Sequence, residues 1–214
     1  MLNPIATSKL KDGVQVVLKK DLFYVLDGRD KPTRHKPWLG DVFSFLYDRI
    51  MEKSVFPKKF NGDFQKHFEI LKSECSHIHG REIVEIATGS GNAVRFMPQD
   101  NAFTCTDISP GLLRLAVKSF RAHRFQDVEF YVADAAGLPF SDRSFDVALC
   151  HLSMNFFPDL RTFVGQVNRV LKPGGVFYGS VPVPERKNPK AVIHGRLYSE
   201  NELQDIFENC GFAF

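Results

Sequence analysis

No stretch of this 214-residue chain approaches the ~18–20 consecutive apolar residues that a membrane-crossing helix needs. Met1 to Leu10 also lacks the long apolar segment of a secretory leader, so a cytoplasmic location is expected. Cysteine is scarce: Cys75, Cys105, Cys150 and Cys210 lie far apart and in no CxxC pair, which removes the spacing of a disulfide framework or a zinc ribbon. A strong excess of one charge is missing too. The net charge is +3, with 12 Lys and Arg against 7 Asp and Glu in residues 1–60 and 16 against 18 in the rest. Lys19-Lys20, Arg34-His35-Lys36 and Lys58-Lys59 are short and interleaved with acids, the pattern of a solvated face. A small-molecule partner is expected and a nucleic acid is not; the oligomeric state is not legible. Cys75-Ser76-His77-Ile78-His79 offers possible ligands but no fourth one, so no metal site is assigned.

What is present is an alternation of short strands and amphipathic helices. Val14 to Leu18 and Leu22 to Leu26, joined by Lys19-Lys20-Asp21, read as a hairpin. Helical spacing then appears at Val42, Phe45, Leu46 and Ile50, and again at Phe64, Phe68 and Leu71. From Glu82 the strands are expected at Ile83 to Ala87, Phe103 to Thr106, Val128 to Val132, Phe145 to Cys150 and Val176 to Ser180. Between them, Ser109-Pro110 starts one helix, Lys172-Pro173-Gly174-Gly175 stops another, and Ser199 with Glu202 has capping-box spacing. This is an α/β pattern around a mostly parallel sheet.

The chemistry is concentrated at three strand ends. Val84-Glu85-Ile86-Ala87-Thr88-Gly89-Ser90-Gly91 runs from a strand into a turn whose small residues let a ligand approach the backbone. Sixteen residues past Gly91, Phe103 to Thr106 leads into Asp107, a carboxylate placed to accept both hydroxyls of a ribose. At that strand end Asp107 is expected to face solvent when no ligand is bound, and to matter little to fold stability. Asp134 ends the next strand and can accept an exocyclic N–H of an adenine. A nicotinamide dehydrogenase shares this logic, but its G-x-G-x-x-G fingerprint needs a third glycine where this chain has Val94. His151, at the end of the fourth of these strands, is a candidate general base or a packed histidine.

Five ordered motifs carry a family resemblance: the turn Glu85 to Gly91; Thr106-Asp107-Ile108-Ser109; Ala133-Asp134-Ala135 with Leu138-Pro139-Phe140; Ser144-Phe145-Asp146-Val147; and Arg169-Val170-Leu171-Lys172-Pro173-Gly174-Gly175. Over about residues 82–211 the chain resembles the class I S-adenosylmethionine-dependent methyltransferases, in particular the type 11 small-molecule branch. The resemblance implies a Rossmann-like sheet flanked by helices, S-adenosylmethionine as cofactor and methyl transfer to a small molecule. It implies Glu85 near the methionine end, Gly89 and Gly91 making room, Asp107 on the ribose, and Asp134 with Ala135 on the adenine. Ala87, Thr88, Ser90, Ile108 and His151 complete the implied cofactor set. The segment Val42 to Met51 is similar to a pre-domain helix of quinone-biosynthesis methyltransferases, which makes Tyr47 a second catalytic candidate beside His151.

The division this implies is a β-rich extension over 1–40, a helical pre-domain segment over 41–80 and the cofactor-binding domain over 81–214. Two departures stand out. Ala87 replaces the family's first loop glycine, which leaves a non-catalytic cofactor-binding module of the same fold as the alternative reading. The antiparallel strand pair that closes the family's sheet is not found before Phe214.

Overall fold

The computed structural model describes residues 9–33, 35 and 47–214. Its centre is a seven-stranded sheet in the order β1-β2-β5-β4-β3-β6-β7. The strands are β1 (Val16–Lys19), β2 (Leu22–Val25), β3 (Glu82–Ile86), β4 (Ala102–Asp107), β5 (Val128–Val132), β6 (Phe145–His151) and β7 (Leu171–Ser180). All pairings are parallel except that of β1 with β2. The helices are α1 (Tyr47–Ile50), α2 (Phe64–Cys75), α3 (Pro110–Ala122), α4 (Leu160–Val170) and α5 (Glu200–Asn209). Between α1 and α2 the chain continues as wide π-type turns over Met51–Phe60, with Pro57 inside them.

The expected hairpin forms, and its turn is set by Lys20 (φ 48) and Asp21 (φ 69), both left-handed as a two-residue turn between twisted strands requires. It is stitched onto the sheet by the parallel pairs Phe23 with Tyr131 and Tyr24 with Val132. The sheet therefore reaches seven strands with its antiparallel pair drawn from the start of the chain, and β7 forms the opposite edge. Of the residues that suggested a helix before Tyr47, Val42, Phe45 and Leu46 lie outside the described set. The strand expected at Val176 begins earlier, at Leu171, because Lys172 to Gly175 bulge out between the pairs Phe145 with Leu171 and Val147 with Val176. Gly175 fits only without a side chain, since a Cβ there would meet the Lys172 carbonyl at 2.9 Å and the Asp146 carbonyl at 3.1 Å.

Period-two alternation sorts the strands between two cores. Val84, Ile86, Ala148 and Cys150 face Phe163, Val164, Val167, Leu203 and Phe207 of α4 and α5. Ile83, Phe103, Cys105, Val147 and Leu149 face Phe64, Phe68, Leu113, Ala116 and Phe120 of α2 and α3. A buried side chain of this size contributes ~1.5–3 kcal/mol against ~0–1 for an exposed ion pair, so burial outweighs pairs such as Arg121 with Asp21 at 2.9 Å. Helix starts are fixed by side chains: Asp63, Ser109 and Asp159 cap α2, α3 and α4, and Ser199 with Glu202 forms the expected box at α5. Among the described residues, no helix is long and apolar enough to cross a membrane.

Candidate functional site

Parallel strands carry their helix-entering turns at one end, and here β3, β4, β5 and β6 deliver Glu85, Asp107, Asp134 and His151 to the same cavity of about 490 Å³. Ala87, Thr88, Gly89, Ser90, Ile108 and Ala135 also line it. The turn after β3 is held by Thr88 N–H donating to the Thr106 carbonyl (2.9 Å) and Gly91 N–H to the Thr88 carbonyl (3.1 Å). Ala87 sits at φ 56, a left-handed conformation that costs an L-residue ~1–2 kcal/mol. The departure from glycine therefore keeps the backbone shape of the turn and bears strain to do so.

The two turn glycines divide their work differently from the sequence expectation. Gly89 (φ +60) lines the cavity, and a Cβ there would point into open space. Gly91 (φ +85) faces away, and its Cβ would sit 2.8 Å from Ala116 Cα. Its role is the close approach of α3 to the turn.

Asp107 also departs from expectation. Its side chain is buried, at 8% exposure, and not solvent-facing. One oxygen accepts the Gly89 N–H at 2.9 Å and the other the Ser109 N–H at 2.8 Å. Asp107 thus tethers the β3 turn to the β4 turn before any ligand arrives. Asp134 is exposed and accepts the Ala136 N–H at 2.9 Å.

Glu85 is buried between Cys105, whose Sγ lies 3.8 Å from its carboxylate, and Thr88. Burial pushes its pKa up to about 8, and no ion pair to it forms among the described residues. A buried carboxylate without a cation, lining a cavity, fits a ligand that brings positive charge. With Asp107 suited to a diol and Asp134 to an N–H donor, this donor set fits S-adenosylmethionine.

His151 ends β6, and Leu152 follows in a left-handed conformation (φ 54). The His151 ring is surrounded by Phe68, Phe96 and His67, and its Nε2 lies 2.6 Å from His67 Nε2. Burial and His67 together lower its pKa to about 3, and burial also lowers that of His67. Tyr47 begins α1, and its side chain lies outside the described residues.

The sequence reading missed the apolar half of the cavity: Met51, Phe56, Phe64 and Phe68 on one side, Phe156 and Phe157 on the other. Their spacing looked like core packing, and only the fold brings them opposite the strand ends. His67 was missed as well, although it lies one residue before Phe68 on the helix read from Phe64 and Leu71. In the Cys75 to His79 cluster, Cys75 is buried and His79 Nδ1 lies 3.0 Å from Asp100. Among the described residues, no three or more His, Cys, Asp and Glu are grouped closely enough to hold a metal ion.

A family described as a methyltransferase domain matches residues 84–179, the stretch that contains all four strand ends. The chain thus carries, over these residues, a stretch similar to the methyltransferase domain. It is similar to a demethylmenaquinone methyltransferase of Chlorobaculum parvum, 32% identical over 62% of this chain and 55% of that one. An uncharacterized chloroplastic methyltransferase of Arabidopsis thaliana is 29% identical over 80% of this chain and 54% of its own length. The chain thus spans about half the length of these two relatives. Among solved structures, an S-adenosylmethionine-dependent methyltransferase from Aquifex aeolicus superposes with a TM-score of 0.60 at 16% identity, covering 82% of this chain and 89% of that one. This last likeness shows the shared fold. S-adenosylmethionine is the cofactor of the family.

Proposed function

We propose that this chain transfers the methyl group of S-adenosylmethionine to a small, largely apolar acceptor. The observation that carries this reading is one cavity with two chemistries: carboxylates at the strand ends, and Met51, Phe56, Phe64, Phe68, Phe156 and Phe157 across from them. The Chlorobaculum relative is named for demethylmenaquinone, which supports an apolar acceptor here. The modest, broken basic charge of the first 60 residues speaks for a small molecule over a nucleic acid.

When bound, the cofactor supplies an electrophilic methyl group on a sulfonium. In this reading Asp107 accepts from the ribose hydroxyls, Asp134 and Ala135 hold the adenine, and Glu85 faces the positively charged methionine end. The turn from Ala87 to Ser90 lies along the cofactor, and Ile108 packs beside it. The aromatic wall excludes water and orients the acceptor, and much of the acceleration comes from holding the reacting atoms in line. His151 stands where β6 meets this wall, at hand for the proton an O–H, N–H or C–H acceptor gives up. The four cysteines are free thiols, three of them buried, which supports a reducing compartment such as the cytoplasm.

The test is calorimetry with S-adenosylhomocysteine, followed by incubation with methyl-labelled S-adenosylmethionine and organic-solvent extracts, with the labelled product identified by mass spectrometry. Binding and a labelled apolar product are expected. Binding with no labelled product from any extract would support the non-catalytic module, and binding of NAD instead would return the dehydrogenase reading.

A further inference from the structure

His67 and His151 come from different parts of the chain, α2 and the end of β6, yet their Nε2 atoms lie 2.6 Å apart and their rings 4.9 Å apart at 35°. Two bare nitrogens would repel at that distance, so a proton sits between them, donated by one ring and accepted by the other. Each ring also borders a different space. His151 lines the 490 Å³ cavity, whereas His67 lines a second cavity of about 300 Å³ bounded by Phe60, Lys66, Val183, Arg186 and Lys187. Phe56 and Leu152 border both, so the histidine pair lies in the partition between them. Among the described residues neither Nδ1 has a hydrogen-bond partner, which leaves that nitrogen of each ring to exchange a proton with the space beside it.

Resting on the methyl-transfer reading above, we infer that the His67–His151 pair is a proton relay that carries the acceptor's proton out of the methyl-transfer cavity into the second cavity. The acceptor's O–H, N–H or C–H bond breaks and its proton joins His151 Nδ1. The proton on His151 Nε2 shifts to His67 Nε2, and His67 releases the proton on its own Nδ1 to water. The acceptor's electron pair forms the new bond to the methyl carbon, so one proton leaves for each methyl transferred.

The surroundings suit conduction over storage. Phe56, Phe68 and Phe96 pack around the rings. Facing the second cavity are Asp63, Lys66, Arg186 and Lys187, and across the first stand Glu85, Asp107, Asp134 and His35. Burial disfavours a proton resting on His67, and burial together with His67 does the same for His151, so both rings are neutral near pH 7. His67 is in this scheme a positioning residue that acts through His151.

The test compares wild type with His67→Phe, which keeps the ring volume, and His67→Gln, which can still hydrogen-bond His151 but cannot pass a proton. Imidazole nitrogen shifts in ¹⁵N-labelled protein need no acceptor. In wild type the two rings should change protonation together as pH falls, and in both variants His151 should titrate alone at a higher pH. In the labelled-methyl assay, with 1,4-dihydroxynaphthalene as probe, both variants should lose at least ~10-fold in kcat with S-adenosylhomocysteine affinity unchanged, and added imidazole should restore part of the rate. Independent titration of the two rings in wild type overturns the relay, as does full activity of His67→Gln. If wild type methylates no acceptor, the methyl-transfer reading fails, while the nitrogen shifts still decide whether the pair shares a proton.

Discussion

Asp107 holds the N–H of Gly89 at 2.9 Å, and through that bond the end of β4 fixes the turn that follows β3. With Ser109 N–H on its other oxygen, this carboxylate has a structural duty as well as its proposed place on the ribose. Asp107→Ala should therefore fail twice. Leaving two backbone donors unpaired in a buried site should cost about 2 kcal/mol, lowering the apo melting temperature by ~4–8 °C. Loss of the charge-assisted bonds to a diol should weaken S-adenosylhomocysteine at least ~10-fold by calorimetry. A variant that melts and binds like wild type refutes both roles.

The two turn glycines should separate binding from folding. Gly91→Ala should destabilise the apo protein by about 1–3 kcal/mol in urea titration, because its Cβ would enter the space of Ala116. Gly89→Ala meets nothing in the apo protein and should cost no more than ~1–2 kcal/mol of left-handed strain, while its Cβ projects into the cavity and lowers cofactor affinity. The reverse ranking of the two, by denaturation and by calorimetry, would contradict this division.

Ala87→Gly tests the strain directly. At φ 56 glycine removes the steric penalty of ~1–2 kcal/mol and adds ~0.5–1 kcal/mol of unfolded-state entropy, for a net gain of roughly 0.5–1 kcal/mol. A urea midpoint that falls would show that the methyl group contributes packing that outweighs the strain.

Glu85 gives the fold a pH dependence of definite sign. Its pKa rises from 4.5 unfolded to about 8 folded, so between those values the native state binds more protons than the unfolded one. Apo stability should then fall as pH rises through this window, and Glu85→Gln should flatten that slope. Binding of S-adenosylmethionine at pH 7 should release protons, seen as a dependence of calorimetric heat on the buffer's ionisation enthalpy. Zero proton release at pH 7 would mean that Glu85 does not change its ionisation when the cofactor binds.

The parallel part of the sheet was legible because its strands are short apolar runs punctuated by strong signals, Ser109-Pro110 and Ser199 with Glu202 above all. The carboxylates were legible because each ends a strand and so must meet its neighbours at one edge. At Gly91 the sequence shows that a glycine is needed without showing which neighbour demands it; the close approach of α3 appears only after it folds back. Asp107 was expected to face solvent because a strand end looks exposed until the next turn closes over it. His67 and the aromatic wall depend on contacts between residues some 80 positions apart, such as His67 with His151, which no local pattern encodes.

The hairpin at the start of the chain has a consequence for the order in which the protein is made. Its sheet partner is β5, and Phe23 cannot find Tyr131 until roughly a hundred further residues have been synthesised, ~5–20 s at ribosomal speeds. During that interval Leu22 and Phe23, both buried in the finished molecule, have no sheet to lie on. β1 and β2 therefore wait for β5, and the emerging chain carries an apolar surface that a chaperone can cover.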